Sequence, residues 1–121
     1  MPRMDWHPED FMAKCEEAAL DGAEEWAMTT WQSQAREDCP VGQYPAGSGR
    51  VGGTMRASLT VEREEDMIHM GGGGAAKSYI LKQELDRSLD HTSGKAGFIL
   101  DSFEMHLAEI GPMVQERIDQ L

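Results

Sequence analysis

The sequence predicts an α+β domain, and three observations support that fold class. Residues 8–37 and 98–121 carry apolar side chains at intervals of three and four, which is the spacing of amphipathic helices. Between them, residues 57–64 alternate apolar with polar side chains, and residues 67–70 form a second short run, which together predict an antiparallel hairpin. The length of 121 residues suits one domain, so we expect residues 1–121 to form one unit with both helices on a small sheet.

The first helix should begin at Pro8, because a proline in the first turn loses no hydrogen bond. Glu9 and Asp10 follow, and their charges favour the positive end of the helix dipole. The apolar stripe of this helix consists of Phe11, Cys15, Ala18, Ala19, Gly22, Ala23, Trp26, Ala27 and Thr30. Most of these side chains are small, so we expect another element to approach this helix closely.

The opposite side of the first helix is acidic. Its carboxylates are Glu16, Glu17, Asp21, Glu24 and Glu25. A face of this composition predicts exposure to solvent, because charged side chains are rarely buried without a partner.

The segment 38–53 contains two prolines and five glycines, which predicts a long loop. In the strand that follows, Leu59 and Val61 should face the core. Residues 64–66 form the turn of the hairpin, and the glycine run 71–74 ends its second strand.

Residues 75–87 fit either a third strand or a short helix, with Tyr79, Ile80 and Leu81 as the apolar centre. The last helix has a clear stripe, formed by Leu100, Phe103, Leu107, Ile110, Val114, Ile118 and Leu121. Gly111-Pro112 interrupts it and predicts a kink there. So few strands leave open sheet edges, which favours pairing with further chains.

The net charge of −11 is unevenly distributed. Residues 1–38 hold 10 acids and 3 bases, residues 98–121 hold 5 acids and 1 base, and residues 39–97 hold 7 of each. No basic patch is visible for tight binding to nucleic acid. No apolar run approaches the roughly 20 residues of a membrane span, and the start of the chain does not resemble a signal peptide. We therefore expect synthesis in the cytoplasm and no membrane partner.

The sequence gives no motif for catalysis, for a cofactor or for a metal. Cys15 and Cys39 lack the spacing of zinc ligands, and two cysteines make no disulfide framework. The histidines also lack a metal-binding spacing, and they are His7, His69, His91 and His106. We expect a protein that is not an enzyme and that has no cofactor.

Three groups of residues carry a family resemblance. The segment "CPVGQYPAGSGRVGGTMRASLTV" contributes Pro40, Gly53, Met55, Arg56, Ser58 and Leu59. A tyrosine followed by a glutamate contributes Tyr79 and Glu84. The third group consists of His91, Gly94, Ala96, Ile99, Leu100 and Ser102. In order and spacing these motifs resemble the head–tail joining or neck proteins of long-tailed bacteriophages, also called minor capsid or tail-completion proteins, over roughly residues 10 to 120.

The resemblance implies a non-catalytic virion protein that forms a ring at the head–tail junction, with six subunits favoured over twelve. The neck proteins of this family contact copies of themselves and other connector and tail proteins, while DNA passes through the channel without specific binding. Contacts to neighbouring subunits would involve Arg56, Ser58, Tyr79, Glu84 and His91. The acidic residues of the first helix, namely Glu16, Glu17, Asp21, Glu24 and Glu25, would face the channel and repel phosphates.

The local pattern agrees with this reading. The residues "TMRAS" can form one turn before the strand, with Met55 and Leu59 packed inward and Arg56 pointing outward. Arg56 can then pair with a carboxylate of its own chain or of a neighbouring subunit. The loop 38–53 and the glycine run 71–74 would become ordered against neighbouring rings.

Two other classes of function stay open at this point. A small acidic adaptor, or an inhibitor that imitates nucleic acid, would be a monomer or dimer that binds a basic protein. A small hydrolase would need a pocket with a perturbed carboxylate or histidine.

Overall fold

The computed structural model describes residues 7–41, 52–73, 80–87 and 94–121, and it has the predicted α+β architecture. The elements, in chain order, are α1 (Pro8–Trp26), a π-helical segment (Ala27–Trp31), α2 (Gln32–Asp38), α3 (Thr54–Ala57), β1 (Thr60–Glu64), β2 (Met67–Gly71), α4 (Ile80–Leu85), α5 (Leu100–His106), a 3₁₀ turn (Leu107–Glu109) and α6 (Ile110–Asp119). Within these ranges, no helix is long and apolar enough to cross a membrane.

The long first helix is present and contains a π-helical segment that the sequence pattern does not reveal. Pro8 stands in its first turn with Glu9 and Asp10, as predicted. The backbone stays helical through Ala27–Trp31, so α1, the π-helical segment and α2 form one continuous rod. Because π-helical bonding joins residues five apart, it brings Trp26 and Trp31 to the same side of the rod. Both indoles are buried, with 1% and 0% of their surface exposed.

The core lies where this rod meets the hairpin and the last helices. Its buried members are Trp26, Ala27, Trp31, Ala35, Cys39, Met55, Leu59, Ile80 and Phe98. Of the predicted stripe, Ala18, Gly22, Trp26 and Ala27 are buried. Phe11 was predicted to belong to this stripe, but it is 52% exposed. Residues 7–14 are all exposed, so the first two turns of α1 extend beyond the core. Periodicity identified the apolar face of α1 but not how far along the helix that face is covered.

The predicted close approach to α1 is made by α6. A Cβ atom on Gly22 would lie 2.8 Å from the Cα atom of Val114 and 3.0 Å from the carbonyl oxygen of Met113. The two helices run antiparallel, since Gly22 faces Val114 while the Trp26 indole N–H reaches back to the carbonyl of His106 at 3.0 Å. The small stripe therefore allows backbone-to-backbone packing.

The hairpin forms as predicted, but its first strand begins at Thr60, after the helical turn α3. The two strands are antiparallel, and Glu62 lies opposite His69 in the register. Glu65 opens the two-residue turn with a φ of 46°, in the left-handed region. In the described part of the chain the sheet has these two strands alone.

Residues 80–85 of the segment left open between strand and helix form the helix α4, with Ile80 buried. The last helix is interrupted, as predicted, but by the 3₁₀ turn Leu107–Glu109 between α5 and α6, whereas the predicted position, Gly111-Pro112, lies inside α6. Pro112 explains this position, because its ring would clash with the carbonyl of residue 108 and it has no N–H to bond there. Pro112 itself lies in the first turn of α6, where the missing N–H costs little.

Candidate functional site

The short segment before β1 joins the hairpin to the helical rod. Met55 and Leu59 are buried as predicted, with 6% and 0% of their surface exposed. The carbonyl oxygen of Leu59 accepts hydrogen bonds from the Gln32 side-chain amide at 2.8 Å and from an Arg36 guanidinium N–H at 3.1 Å. The Ser58 hydroxyl donates to the carbonyl of Met55 at 2.7 Å. Ser58 thus closes its own turn while the neighbouring carbonyl fixes the turn to α2.

The charges of Arg56 and Glu84 act on the buried thiol of Cys39. Burial raises the pKa of Cys39 from 9.0 to about 11, with Arg56 lowering it and Glu84 raising it to smaller extents. Arg56 was predicted to point outward, but its residue is half-buried. Its Nε atom is enclosed and has no hydrogen-bond partner among the residues that the structure describes. The thiol is neutral and covered at ordinary pH, so this cluster does not offer a nucleophile.

Glu84 holds the start of α5. Its two carboxylate oxygens accept the amide N–H groups of Ile99 at 2.8 Å and Leu100 at 2.9 Å, which are otherwise unpaired at a helix start. The Glu84 carbonyl also accepts the Gly97 N–H at 2.8 Å. The glutamate of the family motif therefore has an intrachain structural role. Tyr79 and His91, the other two motif residues proposed as contacts, lie outside the described residues.

A second attachment lies beside this cap. Arg87 donates two hydrogen bonds to the carboxylate of Asp101, at 3.0 and 2.9 Å. The hydrogen bond from Arg87 lowers the pKa of Asp101, and the pKa of Arg87 is raised in turn. Helix α4 is thus attached to α5 largely through polar contacts.

The acidic side of α1 is not simply solvated. Arg63 of β1 donates to Asp21 at 2.6 Å and to Glu17 at 2.7 Å, and Glu24 lies 3.9 Å from the same guanidinium. Arg117 of α6 pairs with Glu25 at 3.0 Å. Four of the five acidic residues proposed to face a channel therefore form ion pairs within the chain. The fifth, Glu16, is exposed.

The sequence analysis did not predict that Arg63 docks the hairpin on α1, although the sequence contains a signal for this role. It follows Leu59 and Val61 at alternating positions, so it lies on the inward face of the strand. An arginine on that face, next to a helix rich in carboxylates, indicates an ion pair that docks the hairpin. Its hydrogen bond to Asp21 is the main cause of its raised pKa.

An open groove of about 700 Å³ lies at the base of the hairpin. It is lined by Thr54, Ala57, Ser58, Thr60, Glu62, His69, Met70, Gly71, Gly72 and Gly73. The His69 ring lies 3.0 Å from the Glu64 carboxylate, and both side chains are well exposed. Across the four described ranges, no three His, Cys, Asp or Glu side chains are grouped so that they could hold a metal ion.

Several large apolar side chains are exposed: Phe11, Met12, Met28, Met67, Leu81, Leu85, Leu100, Met105, Leu107 and Leu121. Leu81 and Leu85 are the most exposed, at 67% each, and their spacing puts them on the same face of α4. Leu81 was predicted to belong to an apolar centre with Ile80, but only Ile80 is buried. Polar contacts thus hold α4 in place while two of its leucines face solvent.

Comparisons of this chain with protein-family models, with curated proteins and with solved structures found no match.

Proposed function

We propose that this chain is a non-catalytic structural subunit that forms a ring at the head–tail junction of a long-tailed bacteriophage, with six copies in the ring. The phage assignment is supported by the order of the motifs from Pro40 to Ser102. Their role here is consistent with a scaffold, since Ser58 closes a turn and Glu84 caps a helix. The mature location would be the neck of the virion, after synthesis in the host cytoplasm.

The observation that carries the assembly part of this proposal is the exposed apolar surface of α4. Leu81 and Leu85 project from a helix that is fixed by Glu84 and by Arg87. Exposed apolar patches rimmed by polar side chains are typical of protein–protein contact sites. In the described part of the chain the sheet has two strands, and the edges of so small a sheet are a second candidate surface for pairing with further chains. A ring of copies, stacked between connector and tail proteins, would cover such surfaces.

In this proposal DNA passes through the ring without specific binding. The net charge of −11 disfavours phosphate contacts and lowers friction along a channel wall. Because Arg63 and Arg117 partly neutralise the acidic side of α1, the repulsion would come from the summed charge of all subunits more than from this face alone.

The decisive experiment examines particles. Phage particles purified from cells that express the chain from its native gene cluster should contain it at a fixed number of copies, measured by quantitative mass spectrometry. Cryo-electron microscopy of the neck should then show a closed ring of this fold. Complete absence of the chain from tailed particles would contradict the proposal, and carboxylates of α1 on the outer wall would contradict the channel assignment.

The competing interpretation, an acidic adaptor or nucleic-acid mimic, makes a different prediction. Such a protein would be a monomer or dimer and would bind a basic partner in a salt-dependent way. The ion pairs of Glu17, Asp21 and Glu25 reduce the free negative charge available for mimicry. Capture of a basic host protein, together with absence from particles, would favour that alternative.

A further inference from the structure

Among the exposed apolar side chains, two pairs lie far apart on the surface of the chain. The α4 patch consists of Leu81 and Leu85, and the α1 patch consists of Phe11 and Met12. The start of α5, to which α4 is attached, lies beside Trp31, whose indole N–H donates to the Ile99 carbonyl at 3.0 Å. From there to the α1 patch is about 30 Å along the rod at about 1.5 Å per residue. The two patches therefore lie towards opposite ends of the long helix.

We propose that the α4 patch of one copy binds the α1 patch of the next copy, in a head-to-tail interface. When each copy uses its two patches on two different neighbours, the contact is heterologous, and its repetition closes into a ring when the rotation allows it. This inference rests on the proposed ring function and specifies which surfaces build the ring. A self-complementary contact of α1 with α1 would instead generate a dimer and would stop there.

Charge favours this pairing over its alternatives. Glu9 and Asp10 stand directly before the α1 patch and Lys14 stands just after it, and all three are exposed. The surroundings of the patch are therefore net negative, so two α1 patches would repel one another. Lys82 is exposed next to the leucines of the α4 patch. A head-to-tail contact brings this lysine towards the acidic start of the neighbouring α1, whereas pairing of α4 with α4 would oppose two lysines.

The packing chemistry also fits. Each patch offers two large apolar side chains that are half or more exposed, at 52% and 62% on α1 and 67% each on α4. A few buried anchors of this kind, surrounded by charged groups, are the usual energetic centre of a protein interface. Since α4 is already fixed by Glu84, little ordering cost is added when its leucines are covered.

Two surface substitutions test the interface. Leu85→Asp blocks the α4 patch and Met12→Asp blocks the α1 patch, while Met28→Asp changes another exposed apolar side chain of the same rod as a control. Circular dichroism confirms that each variant is folded. Native mass spectrometry and sedimentation then measure assembly at protein concentrations up to about 1 mM, which detects contacts with a Kd near that value.

We expect wild-type protein and Met28→Asp to form closed rings, and each blocking variant alone to lose association by about tenfold or more. A mixture of Leu85→Asp and Met12→Asp should give a 1:1 dimer and no larger species. In that mixture one intact α4 patch meets one intact α1 patch, and the remaining patches are blocked. A contact of α1 with α1, or of α4 with α4, cannot produce this pattern. A two-fold dimer that uses the α4–α1 contact twice would leave the wild-type protein as a dimer, and that result would overturn the head-to-tail interface.

Charge exchange gives a second readout. Lys82→Glu should weaken assembly, and combination with Asp10→Lys should restore it.

The outcomes separate this inference from the proposed function. Rings that are insensitive to both blocking variants, or wild-type protein that stays monomeric at 1 mM while present in particles, would overturn the interface and leave the neck assignment standing. Absence from particles would overturn the neck assignment, whatever the chain does in solution.

Discussion

Substitution of Gly22 by alanine tests the contact on which the helical layer depends. In an isolated helix this change is stabilising by about 1 kcal/mol, because alanine has the higher helix propensity. Here the added Cβ would lie 2.8 Å from Val114 Cα and 3.0 Å from the Met113 carbonyl oxygen. These are backbone atoms, so α6 as a whole must move away from α1. We therefore expect the opposite sign, a loss of stability.

The magnitude follows from two opposing effects. Overpacking a well-filled contact costs about 1–3 kcal/mol, and the propensity gain offsets about 1 kcal/mol of that cost. The expected net loss is about 1 kcal/mol in the free energy of unfolding. With an unfolding entropy of about 2.1 cal/mol/K per residue, this corresponds to a decrease in Tm of about 4 °C for a chain of this length.

Thermal unfolding followed by circular dichroism measures the change, with urea unfolding as a second determination. Ala13→Gly is the matched control, because Ala13 lies in the same helix on an exposed position. It should lower Tm by up to about 4 °C through propensity alone. If Gly22→Ala instead raised Tm by a similar amount, α1 and α6 would not pack backbone to backbone, and the reasoning would be refuted.

Three further predictions concern the polar groups. Burial raises the pKa of Cys39 to about 11, so in the folded protein at pH 8 iodoacetamide should label Cys15 well before Cys39, with equal labelling in urea; comparable rates in the folded state would contradict burial. Arg63→Met should lower Tm, more at low salt than at high salt, since it removes the partner of the α1 carboxylates; an unchanged Tm would show that the hairpin docks without it. The pKa of Asp101 is lowered by Arg87, so the contribution of this ion pair to the free energy of unfolding is present above pH about 4 and is lost as the pH falls further. Arg87→Gln should therefore reduce the loss of stability at acid pH, and an unchanged pH dependence would contradict the pair.

Stability should also change at alkaline pH, in the opposite direction. Because the folded pKa of Cys39 lies above its ordinary value, its contribution to stability is present below pH 9.0 and is lost as pH rises towards about 11.

Sequence reasoning succeeded where structure depends on neighbours along the chain. Pro8, Glu9 and Asp10 marked a helix start, and the alternation of Val61 and Arg63 with their polar neighbours marked a strand face, because each signal depends on residues close in sequence. Pro112 likewise predicted a break in the last helix, which lies slightly earlier in the chain, at Leu107–Glu109. These features follow from steric limits on single residues and from fixed helix and strand periods.

The sequence did not predict the burial and the partners of side chains that depend on residues far away in the chain. Phe11 and Leu81 carry the same apolar signal as Ile80, yet only Ile80 is covered. The π-helical segment shifts the helix phase by part of a turn. Trp31 is therefore fully buried, whereas Thr30, which was predicted to lie on the apolar stripe, is only half-buried. The sequence also did not reveal that the Glu84 carboxylate binds the start of α5.

By itself, the sequence determined the fold class, the order of the first helix, the hairpin and the last helix, the stripe of small residues on α1 and the acidic balance of the chain. Tertiary structure alone decided that α6 fills the stripe at Gly22, that Arg63 neutralises the acidic face, and that two leucines of α4 stay exposed. The physical reason is that periodicity is a local property set by backbone geometry, whereas burial and ion pairing depend on distances between residues far apart in the chain.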